Sequence, residues 1–321
     1  MKIGIVTNNM NTTGGVQVFT RNLCKILKER EHKVKIISQE SLREVGEKDL
    51  EKAVGEEFNR VNKRENFDVV LCNGEYGFAV EHPKAINVFH GNYYGYAMSV
   101  KDLVEPSVTN ERLEKVDLQR ESAKGKYVVT VSNFATKGLE NSGIKVNQVI
   151  KNSVDSDKFY PADMPIMDHA IAAARGMYYE KGFDTILKLA EKGVKIKLFS
   201  DTKLDSLNIN NCGFVENGEL NKEYNLAQML IFPSRFEGGS LTILEAMACG
   251  CPILTRPVGY GDDLKNKIPS FVAESTGQFL AKYVIISNER KKYSKQALDY
   301  FWGYHNPEKF KKEWVDLIEG I

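Results

Sequence analysis

Short apolar runs rich in β-branched residues recur along this chain, separated by segments long enough to form helices. In the first half they are Ile3 to Thr7, Lys33 to Ser38, Asp68 to Cys72, Ala85 to Phe89 and Tyr127 to Val131, with a helical segment at Gln17 to Arg30. A second series follows at His169 to Ala174, Lys195 to Phe199, Met229 to Phe232 and Pro252 to Thr255. Strands joined through helices must cross over, so they pair in parallel, and such crossovers are right-handed. The pattern predicts an α/β chain built as two Rossmann-like halves, each a parallel sheet flanked by helices. The 321 residues suffice for two such domains of about 150 residues.

Between the two series, Asn152-Ser-Val-Asp-Ser-Asp-Lys-Phe-Tyr-Pro161 and then Pro165 form a polar, Pro-containing stretch with the composition of a linker. The expected domains are therefore 1–153 and 154–305. A C-terminal helix over 306–321 carries Phe310, Trp314, Leu317 and Ile318 at helical spacing. It needs a surface to cover, and we expect it to pack back toward the N-terminal domain. The charged stretch Glu44 to Glu65 reads as a solvated helix face.

Charge excludes one class of partner. With 44 Lys and Arg against 43 Asp and Glu, the chain has no electrostatic footprint for nucleic acid. Residues 1–150 hold 22 basic and 20 acidic side chains, so at most weak peripheral membrane contact is expected. The five cysteines (Cys24, Cys72, Cys212, Cys249, Cys251) are odd in number and lack the spacing of a zinc site or redox pair. They fit a reducing compartment. The apolar start of the chain breaks into Asn-Asn-Met-Asn11, too early for a leader, and no run approaches the roughly 18 apolar residues of a membrane span. A cytoplasmic location follows as the expectation.

Open parallel sheets bind ligands beyond the carboxyl ends of their strands, so the loops after strands are where function is sought. Asn11-Thr-Thr-Gly-Gly-Val16 holds Gly14 and Gly15 at the start of a helix, either as an ordinary turn or as a ligand loop. His90 ends a buried strand and precedes Gly91; a structural histidine and a ligand-facing one remain equally open. In Ala174-Arg-Gly-Met-Tyr-Tyr-Glu-Lys-Gly182, Arg175 supplies a planar donor fork and Lys181 a point cation, a pair suited to a diphosphate or else plain surface charge. The fourth segment, Phe232 to Gly250, reads strand, loop, Gly-Gly, helix, and aims backbone N–H groups at an anion. Glu237 and Glu245 within it would lie about 12 Å apart if the whole segment were helical, too far for the paired carboxylates of a retaining glycosidase. Their roles must differ.

This fourth segment resembles family 4 of the retaining glycosyltransferases, whose hallmark is Glu, seven residues, Glu. Here it is Glu237-(Gly-Gly-Ser-Leu-Thr-Ile-Leu)-Glu245, with Pro-Ser before it and Ala-Met-Ala-x-Gly-x-Pro after. Asn152-Ser-Val-Asp-x-x-Lys-Phe-x-Pro161 is similar to the family's interdomain stretch and Val131-Ser-Asn-Phe-x-x-Lys137 to the helix start before it. Arg175 with Glu180-Lys181-Gly182 is similar to its phosphate-binding loop.

The resemblance implies the GT-B fold, two Rossmann-like domains with parallel sheets facing across a cleft that holds the donor. It implies retaining, metal-independent transfer of a hexose from a UDP- or GDP-linked sugar to a hydroxyl acceptor (a glycan, a lipid-linked sugar or a small molecule). No cofactor is implied beyond the nucleotide sugar itself. Carried over by position, Glu245 would hold the donor ribose and Glu237 the donor sugar. Arg175 and Lys181 would hold the diphosphate, and the backbone of Gly239, Ser240 and Leu241 would face phosphate and sugar. Gly14 and Gly15 would close over the phosphates, His90 would lie beside the transferred sugar, and Gly213-Phe-Val215 would contact the base. The catalytic set is Glu237, His90, Arg175 and Lys181.

The sequence departs from the family at Gly239, where an aromatic is commoner, and at Arg256-Pro-Val-Gly-Tyr-Gly-Asp-Asp263, which replaces an acidic loop. Asp155 and Asp157 mimic a metal-binding pair but fall in the linker pattern, so no metal ligand is assigned. Other readings are a dinucleotide-dependent oxidoreductase, which lacks its G-x-G-x-x-G, a sugar-nucleotide epimerase or phosphorylase on a similar fold, and a non-catalytic nucleotide-sugar-binding module.

Overall fold

A computed structural model describes residues 1–12, 14–42, 49–215 and 219–321. Thr13 of the glycine loop and residues 44–48 of the charged stretch lie outside the described residues. The chain divides into two compact units: Met1–Met98 with Pro106–Asn152 and Glu308–Ile321, and Ser99–Glu105 with Ser153–Pro307.

In chain order the elements begin β1 (Lys2–Val6), α1 (Gly15–Glu29), β2 (Lys33–Ile37), α2 (Leu50–Glu65), β3 (Val69–Asn73), β4 (Ala85–Phe89), α3 (Tyr93–Val100) and α4 (Pro106–Ala123). They continue with β5 (Tyr127–Thr130), α5 (Asn133–Asn141), β6 (Gln148–Val149), β7 (Ala170–Ala173), α6 (Phe183–Glu191), β8 (Ile196–Phe199) and β9 (Ile209–Asn211). The remainder is α7 (Leu220–Leu226), β10 (Leu230–Phe232), α8 (Leu241–Ala248), β11 (Ile253–Thr255), α9 (Tyr260–Lys267), α10 (Thr276–Asn288), α11 (Arg290–Tyr304) and α12 (Pro307–Gly320).

Among the described residues, the first unit carries a six-stranded sheet in the order β2-β1-β3-β4-β5-β6, each neighbouring pair parallel. Alternate side chains leave a strand on opposite faces, and both faces are covered, which is why these strands are apolar throughout. Ile3, Ile5, Val69 and Leu71 pack with Phe19 and Leu23 of α1 and with Phe310, Trp314 and Ile318 of α12. Val6, Val70 and Cys72 join Val54, Phe58 and Val61 of α2 in a separate core. Over 50–65 the charged stretch forms an amphipathic helix, with the expected solvated face and an opposite face buried through Val54, Phe58 and Val61.

Among the described residues, the second unit holds a five-stranded sheet in the order β11-β10-β7-β8-β9, again parallel throughout. Its core gathers Phe183 and Ile186 from α6, Ile243 and Met247 from α8, Phe279 from α10 and Phe301 from α11. Because β7 and β10 are neighbours, the loops that leave their carboxyl ends, 174–182 and 233–240, start side by side.

Candidate functional site

Those two loops are fastened together. The Arg235 backbone N–H donates to the Glu180 carbonyl at 2.7 Å, and its guanidinium forks onto Asp184 at 2.7 and 2.8 Å. Gly182 has φ +72°, and a Cβ there would stand 2.3 Å from the Pro233 carbonyl oxygen, so only glycine allows the loops to meet this closely. Arg256, in the segment that departs from the family, braces the same junction by donating to the carbonyls of Pro233 (3.0 Å) and Glu274 (2.6 Å) and to the Thr185 hydroxyl (3.2 Å).

The junction brings Lys181 to Glu237, with Nζ 2.9 Å from Oε1 and 3.4 Å from Glu180 Oε1. The three side chains keep only 17%, 14% and 11% of their exposure. Burial alone would depress the Lys181 ammonium, but the Glu237 and Glu180 carboxylates outweigh it and hold its pKa above the usual lysine range. Its stem runs against Gly176, where a Cβ would come within 3.2 Å of Lys181 Cε. The Ser234 hydroxyl donates to the same Glu237 Oε1 at 2.7 Å. Two donors thus fix one carboxylate oxygen, and Oε2 has no hydrogen-bond partner among the described residues.

Helix α8 begins only at Leu241, after Ser240 in extended conformation, so Glu237 lies in the loop and Glu245 on the helix. The separation calculated for a continuous helix does not apply, but the two environments do differ. Gly239, Ser240 and Leu241 form the helix start, where backbone N–H groups and the helix dipole favour negative charge. Glu245 is buried at 4% exposure and accepts a hydrogen bond from the fully buried Tyr224 hydroxyl at 3.3 Å. Burial, reinforced by the Glu245 charge, pushes the Tyr224 hydroxyl well above its ordinary pKa. Tyr224→Phe takes a donor from a buried carboxylate and is expected to cost about 1–3 kcal/mol in chemical denaturation. A change within about 0.5 kcal/mol, the range of ordinary surface substitutions, would show that this bond carries no weight.

Arg175 is more open. Its Nε lies 3.3 Å from Asp201 Oδ2 and its guanidinium 5.1 Å from the centre of the Phe214 ring. Phe214 is 48% exposed, and Val215 beside it is partly buried against the core. Asp155 accepts the Asp157 backbone N–H at 3.0 Å in a local turn.

In the first unit β1, β3 and β4 end side by side, which places Thr7, Asn73 and His90 along one edge. His90 Nε2 is 3.1 Å from Asn73 Oδ1. Phe19 meets the imidazole edge-on at 4.7 Å and is backed by Trp314 at 5.5 Å. Burial depresses the His90 pKa to about 4, so the ring is neutral at physiological pH. After β1, Gly14 caps α1 in extended conformation and Gly15 is its first residue. Buried Gln17 holds the loop from behind, donating to the Asn9 carbonyl and the Thr12 hydroxyl, both at 2.9 Å. Glu40 Oε1 accepts the backbone N–H groups of Met10 (2.7 Å) and Asn11 (3.1 Å).

Of the residues singled out from sequence, the second unit thus contains Arg175, Lys181, Val215, Glu237, Gly239, Ser240, Leu241 and Glu245, with Lys181 and Glu237 in contact. The first contains Gly14, Gly15 and His90. Sequence reasoning missed Asn73, Gln17, Glu40, Asp184, Ser234 and Arg235. Only Ser234 and Arg235 had a signal, as part of the motif segment.

Among the described residues no group of three or more His, Cys, Asp or Glu side chains is placed to hold a metal ion, and no helix is long and apolar enough to cross a membrane. A cavity of about 530 Å³ opens at the opposite end of α8, lined by Asn225, Cys249, Arg290 and Ser294 among others, away from the Glu237 loop.

Residues 180–286, from Glu180 into α10, match the family model described as glycosyl transferases group 1. No curated protein sequence matches the chain significantly. Among solved structures, sucrose-phosphate synthase from Thermosynechococcus elongatus is 14% identical with a TM-score of 0.78, the match covering 99% of this chain and 98% of that one. WaaG, a glycosyltransferase involved in lipopolysaccharide biosynthesis, is 13% identical with a TM-score of 0.76 and full coverage of both chains, 100% and 100%. The catalytic domain of Starch Synthase IV from Arabidopsis thaliana, bound to ADP and acarbose, is 14% identical with a TM-score of 0.72, covering 99% and 98%. The chain has the GT-B fold of two Rossmann-like domains, and its segment 180–286 carries the sequence pattern of glycosyl transferases group 1.

Proposed function

We propose that this protein transfers a sugar from a UDP- or GDP-linked donor to a hydroxyl acceptor, retaining the anomeric configuration and using no metal ion. The observation that carries the reading is the contact of Lys181 with Glu237 beside the start of α8, inside the segment that matches the family model. The second unit is the donor domain and the first the acceptor-side domain. The protein acts in the cytoplasm, consistent with its five free cysteines, and takes no nucleic acid and at most weak membrane contact.

Breaking the bond between sugar and phosphate leaves negative charge on the nucleoside diphosphate. Lys181, Arg175 and the N–H groups at Gly239, Ser240 and Leu241 offset it, and preorganised groups of this kind are commonly the largest catalytic contribution. Glu237 is held through Oε1, so Oε2 accepts from hydroxyls of the donor sugar. Glu245 accepts from the ribose, and the stretch Gly213 to Val215 contacts the base. Gly14 and Gly15 approach the phosphates, and His90 faces the transferred sugar. The acceptor attacks from the side of the leaving group and its proton passes to the departing phosphate oxygen, so no side chain forms a bond to the sugar.

The test is a panel of nucleotide sugars, read by thermal stabilisation and by transfer or slow hydrolysis in excess EDTA. A donor at 100 times its dissociation constant stabilises by about 2.7 kcal/mol. Absence of stabilisation by every donor would overturn the reading, and EDTA inhibition reversed by magnesium or manganese would overturn its metal-free part. Conversion of the donor to its epimer would return the epimerase, phosphate-dependent release of a sugar phosphate the phosphorylase, and binding without turnover a carrier.

A further inference from the structure

Asn73 ends the strand between β1 and β4 and reaches both neighbours, and its two amide ends can be told apart. The Thr20 hydroxyl donates to the Val16 carbonyl at 2.7 Å and the Thr7 hydroxyl to Asn8 Oδ1 at 3.3 Å. Each hydroxyl has one proton, so both can only accept from the Asn73 atom 3.0 Å from each, which must be the NH2 group. The atom facing His90 is then the carbonyl oxygen. An oxygen 3.1 Å from Nε2 requires a proton on Nε2, and a neutral imidazole has only one. Nδ1 is left with a bare lone pair and has no partner among the described residues, on a histidine that is half-buried.

We propose that Asn73 is a positioning residue that locks His90 in the Nε2–H tautomer, so that Nδ1 accepts a hydrogen bond from a hydroxyl of the transferred sugar. This rests on the reading of His90 as facing that sugar. A bare lone pair attracts an O–H donor and repels phosphate oxygens, so His90 reads a sugar hydroxyl and takes no part in holding the diphosphate. The groups packed on the ring, Phe19 from α1 and Asn73 from β3, are uncharged, and burial alone keeps the imidazole neutral. Phe19 sets the plane of the ring and Asn73 decides which nitrogen faces the ligand.

Two measurements on the full chain test this. Long-range proton–nitrogen NMR of the labelled histidines, with His90 assigned through His90→Gln, reads the tautomer without any substrate. Nε2–H is expected in the wild type and a mixture in Asn73→Ala. Asn73→Asp keeps the shape and the acceptor but adds a negative charge, which raises the His90 pKa by about 1–3 units. The acid limb that Nδ1 protonation gives to transfer should therefore move up from about pH 4 in the wild type by about 1–3 units in Asn73→Asp. In Asn73→Ala we expect kcat to fall by about tenfold with nucleoside diphosphate affinity unchanged. A wild-type Nδ1–H signal, or an Asn73→Asp pH profile superimposable on that of the wild type, would overturn the role of Asn73. Failure of the wild type to transfer from any donor would count against the proposed function and leave the NMR result to decide the tautomer.

Discussion

Glu237→Gln is expected to lower kcat by about 10²-fold or more, the usual size for a group that acts on transition-state charge. An amide still accepts from Ser234 but no longer offsets the charge that develops as the sugar ring flattens. It also removes one of the two carboxylates paired with Lys181 and leaves Glu180, so affinity for the free nucleoside diphosphate should hold or rise slightly. Glu245→Gln should behave in the opposite way: if Glu245 bonds the ribose equally in ground and transition states, donor KM rises more than kcat falls. Steady-state kinetics of both variants, with direct titration of the nucleoside diphosphate, make the comparison. Loss of nucleotide binding in Glu237→Gln, with binding intact in Glu245→Gln, would reverse the two roles.

Lys181→Met should be the most destabilising single change at this site. It leaves the Glu237 and Glu180 carboxylates largely buried without their cation, and breaking such a pair costs about 3–5 kcal/mol, with the residual exposure here favouring the lower end. The double variant Lys181→Met/Glu237→Gln removes one of the stranded charges and should recover part of that loss in urea unfolding. Strict additivity of the two single changes would show that the contact carries no coupling energy.

How far the sequence revealed this molecule depended on the length of each signal. The buried five-residue run Ala85 to Phe89 is β4 as read, and the other major strands agree within about a residue, because strands covered on both faces are apolar throughout. β6 escaped because Gln-Val is too short for a pattern, and β9 because Ile-Asn-Asn is mostly polar, unlike the equally short but apolar β10 and β11. α12 was legible from its apolar stripe. At the site, the family resemblance singled out Glu237 and Glu245 but could not place the bend at Ser240 that takes one of them off the helix. The partnership of Lys181 with Glu237 joins loops distant in the chain, so nothing local announces it. Arg256 looked like a departure from a family pattern and proves to be a brace. Asn73 carried no signal, since its meaning arises only when three strand ends lie side by side.

The return of α12 to the first unit sets an order of events during synthesis. Phe310 and Trp314 emerge only after the whole of Ser153–Pro307 has been made, about 10–30 s later at ordinary elongation rates. The second unit's stretch from Ser153 is continuous and can pack as it leaves the ribosome, whereas the first unit must wait with one face of its sheet unsealed. The packing of Trp314 behind Phe19, the residue that meets the His90 ring, is therefore among the last native contacts to form. A nascent chain can hold a packed Ser153–Pro307 stretch well before Trp314 reaches Phe19.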